Sequence, residues 1–258
     1  MRKYLWLAIA GTSFSIHTIA QDSSIVKSPD TITVKKKKDW SKVSLANRAN
    51  DHFMIQTGYD TWLGESDSLH FTGFSRHFNF YVMYDKPFQS NPRLSVAAGI
   101  GVSSSGIFFD KTVIDIAGKN GSNSIEFTRT LDAKHYKKYK LANTWIEVPL
   151  ELRFVTDPLH SGRSFKVALG GKFGLLVDAH TKGKNLVAGD NDASLYGTKY
   201  IEKEKSKKYF NTTRFSGTLR VGYGAFTVFT AYQLNTLFKE NAGPAVHPYS
   251  IGLCISGL

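Results

Sequence analysis

The chain has 258 residues, which bounds it at one or two domains. It carries 33 Lys and Arg against 21 Asp and Glu, a formal net charge of +12. A single cysteine, Cys254, excludes an internal disulfide framework and reads as a buried free thiol.

At the start, Arg2 and Lys3 precede an apolar run from Tyr4 to Ala10, which small residues extend to Ile16. Thr18 and Ala20 stand three and one residues before Gln21. The pattern predicts an export signal over residues 1–20. A retained anchor is the alternative, but Gly11, Ser13, Ser15 and His17 break the run. Removing residues 1–20 takes away two positive charges and no acid, so +12 becomes +10. Elsewhere no run of 18 apolar residues occurs. The exported chain is then either soluble or crosses a membrane as strands. Its basic charge points to anionic lipid or glycan and not to nucleic acid. Residues 21–50, with Ser23, Ser24, Ser28, Pro29 and four consecutive lysines at 35–38, read as a flexible basic periplasmic segment.

From residue 51 the side chains alternate with period two, the strand signal. Residues 51–63 set Phe53, Ile55, Tyr59 and Leu63 against Met54, Gln56, Asp60 and Trp62. Residues 75–85 set Phe78, Phe80, Val82 and Tyr84 against His77, Asn79, Tyr81 and Asp85. Residues 93–103 set Leu94, Val96, Ile100 and Val102 against serine, alanine and glycine. Residues 143–154, NTWIEVPLELRF, set Ile146, Val148, Leu150, Leu152 and Phe154 against Trp145, Glu147, Glu151 and Arg153. Residues 164–178, 213–223, 224–234 and 249–257 repeat the pattern. An apolar face of about 9 residues is enough to cross a bilayer as a tilted strand. The expected fold is an all-β, eight-stranded antiparallel up-and-down transmembrane β-barrel over residues 51–258.

A two-sheet sandwich also alternates. Here, however, the second face is rich in glycine and serine, which suits the crowded inside of a narrow barrel. The long charged residues on that face are Asp60, Asp85, Glu147, Glu151 and Asp178 against Arg153, Lys166, Lys172, Arg214 and Arg220. Five acids facing five bases predict an interior ion-pair network, because a buried unpaired charge costs several kcal/mol. Connection lengths agree. Residues 64–74, 104–141 and 179–212 are the longer links, 86–92, 155–163 and 223–225 are short, and 235–248 is intermediate. Outer-membrane barrels have short periplasmic turns and long outward loops. Aromatic residues near strand ends, such as Tyr59, Tyr84, Phe109, Phe154, Tyr223, Tyr232 and Phe238, suit the headgroup level. Trp62 and Trp145 carry the opposite parity and belong inside or above the membrane.

The long connections are basic. Residues 106–141 carry a net +3 from six lysines and Arg129 against four acids, and residues 181–210 a net +3 from seven lysines against four acids. They read as solvated loops or as contacts for lipopolysaccharide phosphates, with an envelope protein as a further partner and a monomer as the expected state. The run Gly189, Asp190, Asn191, Asp192 lacks the remaining spacing of a calcium loop. No cofactor is expected.

The blocks WIEVPLELRF (residues 145–154), FKVALGGKFGL (165–175) and FSGTLRVGYGAFTVFTAYQLNTLFK (215–239) resemble the outer-membrane β-barrel family of Bacteroidota that includes PorT-like proteins. The resemblance covers roughly residues 50–258. It implies a barrel of eight or a similar number of strands, an outer-membrane location and an export signal. It implies little chemistry, since most members have no assigned activity. Of the mature histidines, only His77 lies well inside a strand, and none sits in a GxSxG or HExxH pattern. The expected role is structural or interactive, without an open pore. A small-solute channel and a surface-loop ligand binder are the alternatives.

Overall fold

A computed structural model describes residues 52–64, 71–130, 134–189 and 193–257. The expected export signal, the basic segment 21–50, residues 190–192 and Leu258 lie outside them. Among the described residues no helix is long and apolar enough to cross a membrane. The fold is all-β and antiparallel. Its strands are β1 (Phe53–Gly64), β2 (Arg76–Pro87), β3 (Leu94–Phe109), β4 (Thr112–Asp115), β5 (Glu126–Arg129), β6 (His135–Val155), β7 (Phe165–Ala188), β8 (Ala193–Ser194), β9 (Ile201–Lys205), β10 (Thr213–Tyr223), β11 (Phe226–Gln233) and β12 (Val246–Ser256). That is twelve described strands, against the eight expected from the sequence.

Pairing runs β1, β2, β3, β6, β7, β10, β11, β12, and β12 returns to β1 over Met54 to Gly64, which closes a barrel-like ring. β8 and β9 pair with the far end of β7, and β4 pairs with β5 in a separate hairpin. Because neighbours are antiparallel, the links after β1, β3, β7 and β11 fall at one end of the ring. Those after β2, β6 and β10 fall at the other, and they are the short ones.

Burial follows side-chain parity. On β6, Glu147, Pro149, Glu151 and Arg153 are buried while Ile146, Val148, Leu150, Leu152 and Phe154 are exposed. On β2, His77, Asn79, Tyr81, Met83 and Asp85 are buried and Phe78, Phe80, Val82 and Tyr84 exposed. Large apolar side chains thus face outward around the ring, Leu150 at 56% and Leu253 at 61% exposure among them. A soluble monomer rarely presents a contiguous apolar patch beyond a few hundred Å². The outward belt is the surface that lipid would cover.

The expected strand ends fail on three strands. β3 runs on to Phe109, β6 begins at His135, and β7 continues to Ala188. Much of what reads as loop, with Lys138, Lys140, Lys182 and Lys184, is therefore strand. The register of β6 against β7 shifts between Thr144 and Trp145, where Thr144 faces Asp178 and Trp145 faces Leu176. Val177 is the extra residue of a β-bulge, which inverts the parity of everything after it. Beyond it Ala179, Thr181 and Gly183 are the buried set.

Two apolar clusters fill the fold. Met54, Tyr81, Met83, Ala97, Phe229 and Cys254 lie inside the ring, and Cys254 is a buried free thiol. A larger cluster sits at the long-link end. Trp62, Ile107, Phe109, Ile114, Tyr139, Leu141, Trp145, Phe210 and Phe238 belong to it. Phe109 and Phe238, expected at the headgroup level, are buried here instead, with Phe109 5.6 Å and Phe238 5.7 Å from the Trp62 ring.

Candidate functional site

The interior is organised by β7. Its inward residues are Lys166, Ala168, Gly170, Lys172, Gly174 and Leu176, and the small ones let neighbouring strands meet across it. Gly174 is paired with both Glu147 of β6 and Arg214 of β10. A Cβ there would lie 2.9 Å from Arg214 Cγ and 3.3 Å from Glu147 Cγ. Without that carbon, Arg214 Nε donates to Glu147 Oε1 at 2.5 Å and Nη2 donates to Ser103 Oγ at 2.8 Å. One step along, Ala168 is paired with Arg153 and Arg220, and Gly170 with Glu151. Over them Arg220 Nη2 donates to Glu151 Oε2 at 2.7 Å, and Arg153 Nε donates to the same oxygen at 2.9 Å. Arg153 Nη1 lies 3.8 Å from Asp85 Oδ1.

Lys172 is the long side chain among these small ones. It crosses the ring from β7 to the far wall, where Nζ donates to Gln56 Oε1 on β1 and to Tyr81 Oη on β2, each at 2.9 Å. Tyr81 Oη in turn donates to Glu147 Oε2 at 2.5 Å. The ammonium also lies over the Tyr81 and Phe229 rings, 4.7 and 5.7 Å from their centroids. Above this level Trp145 is buried, with the Arg214 guanidinium 4.7 Å over its ring, so the charged layer passes directly into the apolar cap.

Asp60 and His77 make a separate pair. His77 Nδ1 lies 2.6 Å from Asp60 Oδ1, and the Ser105 hydroxyl donates to Asp60 Oδ2. His77 Nε2 has no hydrogen-bond partner among the described residues and sits beside the Phe229 ring. Lys166 is half-buried at the short-turn end, lining a small cavity with Asp85, Arg153 and Arg220. Asp178 stands apart from the other nine. It lies at the bulge, where parity reverses, and pairs with Lys205 of β9 at 2.8 Å and His180 at 2.6 Å. The interior set is thus Asp60, Asp85, Glu147 and Glu151 with Arg153, Lys166, Lys172, Arg214 and Arg220. Cavities between these layers are about 30 and 40 Å³, room for a water or two.

A larger cleft of about 340 Å³ opens in the cap between the β4–β5 hairpin and the extension of β6, β7 and β9. It is lined by Tyr136, Tyr139, Asp115, Lys119, Glu202 and Glu204. Tyr136 donates to Glu202, and Lys119 Nζ lies 2.9 Å from Glu204 Oε1. Burial and the Glu202 carboxylate hold the Tyr136 hydroxyl well above its ordinary range. Sequence reading missed this cleft because the lysine-rich flanks of β6 and β7 mask their strand pattern. The one signal, Tyr136 and Tyr139 among lysines, is not specific. Among the described residues no group of three or more His, Cys, Asp or Glu side chains is placed to hold a metal ion.

A search of curated proteins finds no match. Among solved structures, the chain is similar to the crystal structure of Ail, the attachment invasion locus protein of Yersinia pestis, in complex with the heparin analogue sucrose octasulfate. The alignment has 12% identity and a TM-score of 0.32, and it covers 79% of this chain and 94% of that one. Residues 46–238 match the outer membrane protein beta-barrel domain. With well over half of its length in that match, the chain belongs to the outer membrane protein beta-barrel domain family, and it is a sheet-rich protein of the outer membrane.

Proposed function

We propose that the protein is an eight-stranded transmembrane barrel, closed to solutes, with a structural or interaction role at the envelope and no catalytic one. β1, β2, β3, β6, β7, β10, β11 and β12 are its staves, and the long links face outward from the cell. The observation that carries the reading is Lys172, which crosses the ring to Gln56 and Tyr81 between layers of ion pairs. Eight staves give an interior that side chains can fill. The likeness of residues 145–154 and 165–175 to PorT-like proteins of Bacteroidota supports the same architecture and adds no chemistry.

The test has two readouts. Fractionated membranes should hold the protein in the outer membrane, and unboiled samples should migrate differently from boiled ones on a gel. In planar bilayers the purified barrel should give no steady conductance. Regular conductance steps that change with Glu147→Gln or Arg220→Gln would replace the closed reading with a small-solute channel. A periplasmic protein without a mobility shift would end both readings. The 340 Å³ cleft favours a second reading, a surface ligand binder. Ligand capture lost on Tyr136→Ala, with the mobility shift intact, would support it.

A further inference from the structure

The outward wall carries its own charge pattern above the apolar belt. Lys140 on β6 stands directly opposite Lys182 on β7, and Lys182 stands opposite Lys203 on β9. One rung further out, Lys138 faces Lys184. Like charges directly opposite one another on neighbouring strands repel and weaken the sheet. On the other flank Lys140 is paired with Phe108 of β3, and its Nζ lies 5.9 Å from that ring's centroid. Arg76 of β2 reaches the same ring at 6.0 Å. Between Arg76 and Lys140 the wall is hollowed by about 230 Å³ beside Ser104, Gly106 and Ala142. A Cβ on Gly106 would narrow it, coming 3.8 Å from Lys140 Nζ.

Among the described residues no acid is ion-paired with Arg76, Lys140, Lys182 or Lys203. Asp178, on the same stretch of β7, is already taken by Lys205 and His180. Among the described residues the row has no paired anion. Along β6 the outward face passes Ala142 and Thr144, paired with His180 and Asp178 of β7, before it turns apolar at Ile146, which is paired with Val102 and Leu175; on β2 Phe78 follows Arg76 on that face. A ligand that suits both levels carries phosphate at one end and acyl chain at the other.

We propose that Arg76, Lys140, Lys182 and Lys203 hold the phosphate-bearing headgroup of a membrane lipid, whose acyl chains lie on the apolar belt beneath. Arginine and lysine bind phosphate by charge-assisted hydrogen bonds, and the long stems let the charged heads reach the headgroup level. The proposal rests on the transmembrane reading above.

The test reconstitutes the full chain in phosphatidylcholine nanodiscs doped with lipid A, in its phosphorylated or dephosphorylated form. Lipid retained through purification is counted by native mass spectrometry. Heat-modifiability is scored on the same sample, so loss of the barrel and loss of the site are read separately. The expected result is retention of phosphorylated lipid A about tenfold above the dephosphorylated form, falling to that level in Lys140→Gln/Lys182→Gln/Lys203→Gln and persisting in the corresponding triple arginine variant. Inorganic phosphate at millimolar concentration should not displace the lipid. Equal retention by the wild type and a heat-modifiable triple glutamine variant overturns the proposal. So does equal retention of the two lipid forms, or displacement by inorganic phosphate alone. If the triple variant fails to fold, Lys182→Gln alone removes the central rung. A severalfold drop is then expected, and unchanged retention overturns the proposal.

Discussion

Arg220 grips Glu151 through two nitrogens, Nε to Oε1 at 3.1 Å and Nη2 to Oε2 at 2.7 Å. The two residues sit on β10 and β6, which are not neighbours, and they meet across β7 at Ala168 and Gly170. An ion pair of this kind ties three strands together. The remaining Arg220 nitrogen, Nη1, reaches Thr227, Cys254 and Ser256 at 3.4 to 3.6 Å, which brings in β11 and β12.

Arg220→Ala should therefore be costly, because it leaves the buried Glu151 carboxylate with Arg153 as its one remaining cation among those described above. Removing one member of a buried pair costs about 3–5 kcal/mol. Urea unfolding of the refolded barrel, followed by tryptophan fluorescence, should show that loss. Glu151→Met together with Arg220→Met should recover part of it, since an apolar replacement of a buried pair is close to neutral while Arg153 loses its hydrogen bond to Glu151 and keeps Asp85. A double variant no more stable than Arg220→Ala would mean that geometry, and not uncompensated charge, sets the cost.

Gly174 should be intolerant for a different reason. Valine there forces Arg214 and Glu147 apart, and overpacking of this kind costs about 1–3 kcal/mol. Gly217 is the control, because a Cβ there meets nothing within 4 Å. Gly174→Val should lower the urea midpoint while Gly217→Ala leaves it in place. Equal effects would show that the ion pair does not depend on the gap at β7.

Much of this interior was legible in the sequence. Parity alone puts Glu147, Glu151, Arg153, Arg214 and Arg220 on one face, because a strand has only two faces and the apolar side chains share the other. Asp178 was not legible. Nothing in LLVDAH announces a bulge at Val177, and one extra residue turns an inward aspartate into a partner of Lys205. The cap was hidden similarly. HYKKYKLA alternates tyrosine and leucine with lysine, but with lysines also in adjacent positions, so charge conceals a strand that continues β6. Burial of Ile114, Phe210 and Phe238 in one cluster is a tertiary fact with no local period to reveal it.

That cap should behave as a unit separable from the staves. Phe109 packs against Trp62, Phe71 and Phe127, with ring centroids 5.6 to 6.3 Å apart. Truncating a buried phenylalanine costs about 3–5 kcal/mol. Phe109→Ala should make the long links readily cleaved by protease while the boiled and unboiled mobilities stay distinct. Loss of the mobility shift as well would show that the cap and the ring fold as one cooperative body.

The β4–β5 hairpin offers a pH test. Asp115 ends β4 and its carboxylate accepts from the backbone amides of Ala117 at 3.0 Å, Gly118 at 2.7 Å and Asn120 at 3.4 Å. Slight burial pushes the carboxyl up, but the amides of Gly118, Asn120, Ala117 and Lys119 outweigh it and hold the group below its ordinary range. A depressed carboxyl stabilises the fold above its unfolded pKa, about 3.9 for aspartate. That contribution is lost as pH falls through the lower folded value. The turn matters because Gly118 has φ +70 and Lys119 reaches from it to Glu204 at the cleft. Protection of the Gly118 amide against hydrogen exchange should hold from pH 7 to about pH 5 and decline below about 3.9. Asp115→Asn should lower protection at pH 7 and flatten the pH dependence. Protection that stays constant down to pH 3 in the wild type would remove the carboxylate from its role in holding the turn.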